Sequence, residues 1–153
     1  MLLWPTQAYR HMKGAMIIKI ENFDELWSLG DPVVIEKRFQ ELLPQACSLK
    51  DQSIYLQILS QIALTQALQK KFFDAHKTLD NAEALLTSEH DLARVRILLE
   101  RGRVFQQQGK IPEAREYFEQ SFELSKKHNL DFHTINITHM IAIIADKPEE
   151  KID

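Results

Sequence analysis

The chain has 153 residues, 44% of them apolar and 27% charged, and a formal net charge of −3, so it is long enough for one domain or one uninterrupted stack of repeats. The mild negative charge argues against a nucleic-acid partner, whose binding rests on Lys and Arg neutralising phosphates. No run approaches the roughly 18 apolar residues of a membrane helix, and Cys47, the single cysteine, closes no internal disulfide.

A lone thiol suits a reducing compartment, and as a free cysteine Cys47 is expected to be buried and unreactive. The start, Met1-Leu2-Leu3-Trp4-Pro5, lacks the basic segment and long apolar core of a signal peptide. The expectation is a cytoplasmic protein with no membrane and no nucleic-acid partner. Residues 1–21 show no clean period and read as an N-terminal extension.

A helical repeat domain is expected over 22–146. Its first part, 22–49, is a partial unit: 23–29 reads as a short helix before the Gly30-Asp31-Pro32 turn. Asp31 then caps a helix over about 32–48, with Pro32 suited to its first turn. Ile35, Phe39, Leu42, Leu43 and Ala46 share one face of it, and Pro44 should kink it or end it early. The next unit, 53–87, pairs a helix over about 54–69, capped by Ser53, with one over about 72–86; Lys70-Lys71 marks the turn. The third, 91–128, pairs helices over about 91–108 and 112–127, with Gly109 as the left-handed residue between them. Asp131 caps a single terminal helix over 131–146, and 147–153 is a tail.

The units echo one another. Ala75 and Ala114 are 39 residues apart, and Ile35 lies 40 before Ala75; each opens a pattern completed four and seven positions later. Ala63, Gly102 and Ala142, spaced by 39 and 40, mark the other helix of each pair. Small residues at such intervals belong where helices touch. A helical pair of this kind cannot bury its apolar stripe alone and must stack on copies of itself.

Leu98, Gly102, Phe105, Gly109, Ala114, Phe118 and Ser121 match in order the motif of the tetratricopeptide repeat family, which the chain resembles over about 32–146. Leu59, Ala63, Ala75, Leu79 and Ala82 match it less fully, with Gln66 and Lys70 in place of the aromatic and the turn glycine. The units are longer than the usual 34 residues, because Thr87–Asp91 lengthens a connector. The long unit and runs such as Ala93-Arg94-Val95-Arg96 are similar to bacterial stand-alone members of the family. The resemblance implies an all-α solenoid of αα-hairpins, a right-handed superhelix whose first helices line a concave groove for a peptide or partner helix. It does not extend to the basic clamp with which some members grip a chaperone tail, because Ser60, Leu64, Glu100, Asn136 and Met140 hold the matching positions.

In that register the groove-facing positions are Gln57, Ser60, Gln61, Leu64 and Leu68; Arg96, Leu99, Glu100, Arg103 and Gln107; and Asn136, His139, Met140 and Ile143. Of these, Gln57, Gln61, Leu64, Arg96, Glu100, Arg103, Gln107, Asn136 and His139 are the nine expected to bind. Arg96 and Arg103 flank Glu100 on one face, which reads either as a polar strip gripping an extended peptide through Arg forks and amides or as a solvated face of Arg96–Glu100 and Glu100–Arg103 pairs. Arg101, where the family has Leu, is expected to pair with Glu116 or Asp80. The spacing of His128, His133 and His139 fits no metal site, and His139 reads as a packing histidine or a groove contact. No nucleophile motif, phosphate loop or dinucleotide glycine pattern occurs, and the carboxylates are expected on outer faces. The reading is a non-enzymatic scaffold for a protein or peptide, without cofactor or metal. The alternatives are a sensor domain for a signalling peptide or small ligand, and a homodimer through the terminal helix. That helix carries Ile135, Met140, Ile141, Ile143 and Ile144 with no partner helix after it, and each uncovered Ile forfeits roughly 1.5–3 kcal/mol of burial.

Overall fold

A computed structural model describes residues 19–50 and 52–146; the expected N-terminal extension, apart from its last residues, and the tail lie outside them. The described residues form α1 (Ile20–Leu29), which is a 3-10 helix, α2 (Pro32–Cys47), α3 (Ser53–Leu68), α4 (Phe72–Ala84), α5 (Asp91–Gln107), α6 (Ile111–Lys127) and α7 (Asp131–Ala145). No strand occurs among them.

Three hairpins, α1–α2, α3–α4 and α5–α6, follow one another, and α7 packs on the last. The first helices touch in series, α1 on α3, α3 on α5 and α5 on α7, while each second helix also packs on the first helix of the next pair. Every hairpin turns at a left-handed residue: Gly30 (φ 82°), Lys70 (φ 63°) and Gly109 (φ 79°). In the second and third turns the N–H after that residue bonds back five positions, Lys71 to the Gln66 carbonyl and Lys110 to the Phe105 carbonyl, each at 2.9 Å, which satisfies the last carbonyls of the helix. Lys70 therefore does the work of Gly109 at the cost of a strained backbone.

The core is divided by junction. Phe23, Ile35, Phe39, Ala46, Ile58 and Ile62 fill the first joint. Ala63, Ala75, Leu79, Ala82, Ala93 and Ile97 fill the second, and Val95, Leu99, Ala114, Phe118, Ile137 and Ile144 the third. The expected alanine contacts at 63, 75 and 114 are all fully buried, as is Gly102. Ala142 is exposed instead, because no second helix covers α7 among the described residues. Phe132, Ile135 and Ile143 on α7 are 74%, 60% and 52% exposed.

Other expectations need correction. α2 runs through Pro44 to Cys47. Pro44 and Gln40, whose carbonyl loses its helical partner, are both exposed, so that carbonyl is open to solvent and need not be buried unpaired. Asp31 caps α2 by accepting the Val33 N–H at 2.9 Å. Ser53 and Asp131 do not cap: each is the first residue inside its helix, after Gln52 and Leu130. Cys47 is exposed, since it follows Ala46, the buried end of the α2 stripe, and so points off the core.

Candidate functional site

The sequence-predicted strip lies on the layer of first helices, but most of its polar groups are spent joining one hairpin to the next. Arg96 on α5 does not pair with Glu100. Its Nη1 donates to Asp24 Oδ2 at 2.8 Å and to Gln57 Oε1 at 3.2 Å, its Nη2 donates to Asp24 Oδ1 at 2.7 Å, and its guanidinium carbon sits 5.2 Å from the Phe23 ring centroid. A two-pronged bond to a carboxylate fits a planar guanidinium better than the slanted reach to a residue four along the same helix. The stacking of α1 on α3 makes Asp24 available for it.

A second set of bonds runs beside the first. Trp27 Nε1 donates to Gln61 Oε1 at 3.0 Å, Gln61 Nε2 donates to Glu100 Oε2 at 3.2 Å, and Arg103 Nη1 donates to Glu100 Oε1 at 2.7 Å. Gln57 with Arg96 and Gln61 with Glu100 are both pairs 39 residues apart, so equivalent positions of successive repeats bond directly. Gln57, Gln61 and Glu100 are 6%, 3% and 1% exposed. Glu100, expected on the groove face, is buried instead, its charge held in the interior by Arg103 and the Gln61 amide.

Above this network lies a cavity of about 290 Å³, lined by Gln61, Leu64, Arg96, Glu100, Arg103 and Asn136 from the nine expected binding residues, by Leu99 from the other groove-facing positions, and by Asp24, Trp27, Phe132 and His133 in addition. Gln57 lies beneath it, bonded to Arg96 and to Ser53. Gln107 and His139 are exposed on α5 and α7 and do not line it. His139 is thus not packed in the core. Sequence reasoning missed Asp24 and Trp27 because α1 carries so short a pattern. The repeat offset contains the signal, since Asp24 precedes Leu64 by 40 residues just as Gly30 precedes Lys70. His133 was legible too, one helical turn before Asn136.

The His133 imidazole titrates below its ordinary 6.5: burial lowers it, the Arg96 cation lowers it further, and the Asp24 carboxylate opposes both. The ring is therefore neutral at pH 7. Away from the cavity, Arg101 Nη2 bonds Asp80 Oδ1 at 2.7 Å and Glu83 Oε1 at 3.0 Å, and its Nη1 bonds the His76 carbonyl at 3.2 Å. Asp80 was one of its two expected partners, and Glu83 takes the place of Glu116. No group of three His, Cys, Asp or Glu placed to hold a metal occurs among the described residues, and no helix among them is long and apolar enough to cross a membrane. The cleft combines apolar side chains, those of Trp27, Leu64, Leu99 and Phe132, with charges paired inside the protein.

Residues 54–127, which span α3 to α6, match the family model of the tetratricopeptide repeat. The chain matches no curated protein and no solved structure.

Proposed function

Because the chain belongs to the tetratricopeptide repeat family through residues 54–127, we propose that it is a non-enzymatic cytoplasmic scaffold that binds another protein or a peptide on the face formed by its first helices. Members of this family act generally through protein–protein contact. The observation that carries the reading is the cavity framed by α1, α3, α5 and α7, to which six of the nine expected binding residues contribute. The binding groups differ from an Arg-fork model: Arg96 and Gln61 are committed to neighbouring repeats, so Leu64, Leu99, Phe132, Asn136 and the open side of Arg103 meet the guest. Peptides selected from a random display library on the immobilised full chain, then titrated into the 15N-labelled protein, should shift amides around Leu64, Leu99 and Asn136. Shifts confined to α2, α4 and α6 remove this reading.

A specific observation favours self-association as a second reading. The segment from Phe132 to Ala145 contains no Asp, Glu, Lys or Arg, and it exposes Phe132, Ile135 and Ile143. Two copies of that face meet without like-charge repulsion. Sedimentation should then show mass rising with concentration, and Ile135→Glu should abolish the rise; a monomer at all concentrations excludes the dimer.

A further inference from the structure

We infer that the cavity takes one uncharged, apolar side chain of an extended peptide, with the Asn136 amide holding the adjacent peptide bond. This deepens the groove reading above and rests on it.

The first argument is charge. The cavity is bordered by two carboxylates, Asp24 and Glu100, and two guanidiniums, Arg96 and Arg103, and each is already paired within the protein. An incoming carboxylate at the open side of Arg103 would lie beside Glu100, which is 1% exposed and already balances that guanidinium at 2.7 Å, so the two carboxylates would repel. An incoming ammonium would meet two guanidiniums whose own partners are already engaged. Neither sign finds a vacant counter-charge, and a charged side chain entering the cleft loses hydration without compensation.

The second argument is the wall. Leu64 and Leu99 on neighbouring first helices, the Trp27 ring and the Phe132 ring supply apolar surface on the cavity. Phe132 is 74% exposed, so an apolar guest buries ring surface on both partners. The volume of about 290 Å³ is at the lower limit of sites that hold drug-sized molecules. It suits one large side chain and its flanking backbone better than a cofactor.

The third argument is polarity where it is still free. Asn136 lines the cavity and makes no side-chain hydrogen bond among the described residues. A primary amide offers a donor and an acceptor together, which matches the N–H and C=O of a peptide unit. Orientation of the guest backbone thus falls to Asn136, and selection of its side chain to the apolar wall.

The test uses the full 15N-labelled chain and capped tripeptides, acetyl-Gly-X-Gly-amide, with X as Leu, Phe, Lys or Glu. The Leu and Phe peptides should shift the Trp27 indole N–H and the Asn136 side-chain amide, and the Lys and Glu peptides should not. Phe132→Ala, at an exposed position that leaves the fold intact, should weaken the Leu peptide by about three- to tenfold. Asn136→Leu should weaken it while preserving the preference among the four. Equal binding of the Lys or Glu peptide overturns the inference and leaves the groove standing. Leu and Phe peptides that move neither reporter overturn it as well. Display-selected peptides that map to α2, α4 and α6 remove the groove itself, a result distinct from both.

Discussion

A Cβ added to Gly102 would lie 2.5 Å from two ring carbons of Phe118 and 3.2 Å from the Ala114 carbonyl oxygen. The equivalent pair one repeat earlier is Ala63 with Leu79, and all of these sites are fully buried. The larger ring in the third hairpin thus requires the smaller partner. Gly102→Ala gains about 1 kcal/mol of helix propensity but forces a ring with no room to move, at a cost of about 1–3 kcal/mol. The expected net result is destabilisation in urea unfolding. Phe118→Leu should relieve it, so that the double variant is more stable than the sum of the two single effects predicts; strict additivity would show that the two side chains do not meet. A second prediction at this scale concerns Lys70. Its φ of 63° costs an L-residue roughly 1–2 kcal/mol, so Lys70→Gly should raise the unfolding midpoint, whereas Gly109→Lys at the matching turn should lower it.

At the scale of elements, α4 and α5 are joined through a side chain the repeat pattern does not call for. Arg101 is 5% exposed, and its Nε is buried without a partner. Its carboxylate partners Asp80 and Glu83 are 68% and 42% exposed, so both return to water if the arginine goes. Arg101→Ala opens a cavity and frees the His76 carbonyl, and should destabilise by about 2 kcal/mol. Arg101→Leu fills the space with the residue expected at this position, strands no buried charge and should be neutral or stabilising. Equal losses for both variants in chemical denaturation would assign the effect to the ion pairs and not to packing. The helices themselves were largely legible, because each buried face recurs with a helical period and each hairpin turn carries Gly, or Lys beside Lys, at a fixed interval. Helix ends were less so. Ser53 and Asp131 have the chemistry of caps, yet sit one position inside, a shift of the size by which helix ends vary. Pro44 was misread because its effect depends on exposure, which a period does not reveal.

Across the whole molecule, the candidate site was half legible. The expected binding positions on α3, α5 and α7 follow from the repeat register, and six of the nine line the cavity. Their bonding does not follow, because which polar group meets which depends on contacts between hairpins. Arg96 finds Asp24 at a separation of 72 residues, and no helix-local rule points there. The consequence is that the cavity joins the first hairpin to the terminal helix: α1 supplies Asp24 and Trp27, and α7 supplies Phe132, His133 and Asn136.

That closure makes a prediction about acid. His133 is half-buried beside Arg96, and its imidazole is held below the ordinary 6.5, chiefly by burial and then by the guanidinium, with Asp24 opposing. Well above 6.5 the ring is neutral in the folded and unfolded chains alike and contributes no pH dependence. As pH falls below 6.5 the unfolded chain takes up the proton first, so unfolding gains ground. The loss continues until the folded ring also protonates, and below that point it stays constant. The sign is therefore a stability that declines on mild acidification. His133→Gln retains an amide of similar reach and cannot titrate. Melting temperatures of the two chains should run parallel above about pH 7 and separate below 6.5, with the native sequence losing more. Since the ring stands between α1 and α7, hydrogen exchange under the same conditions should quicken first around Asp24 and Asn136 and leave the joint between α3 and α4 unchanged. Parallel melting curves throughout would show that the ring is as free in the folded chain as in the unfolded one, and that α7 does not close over the cavity in solution.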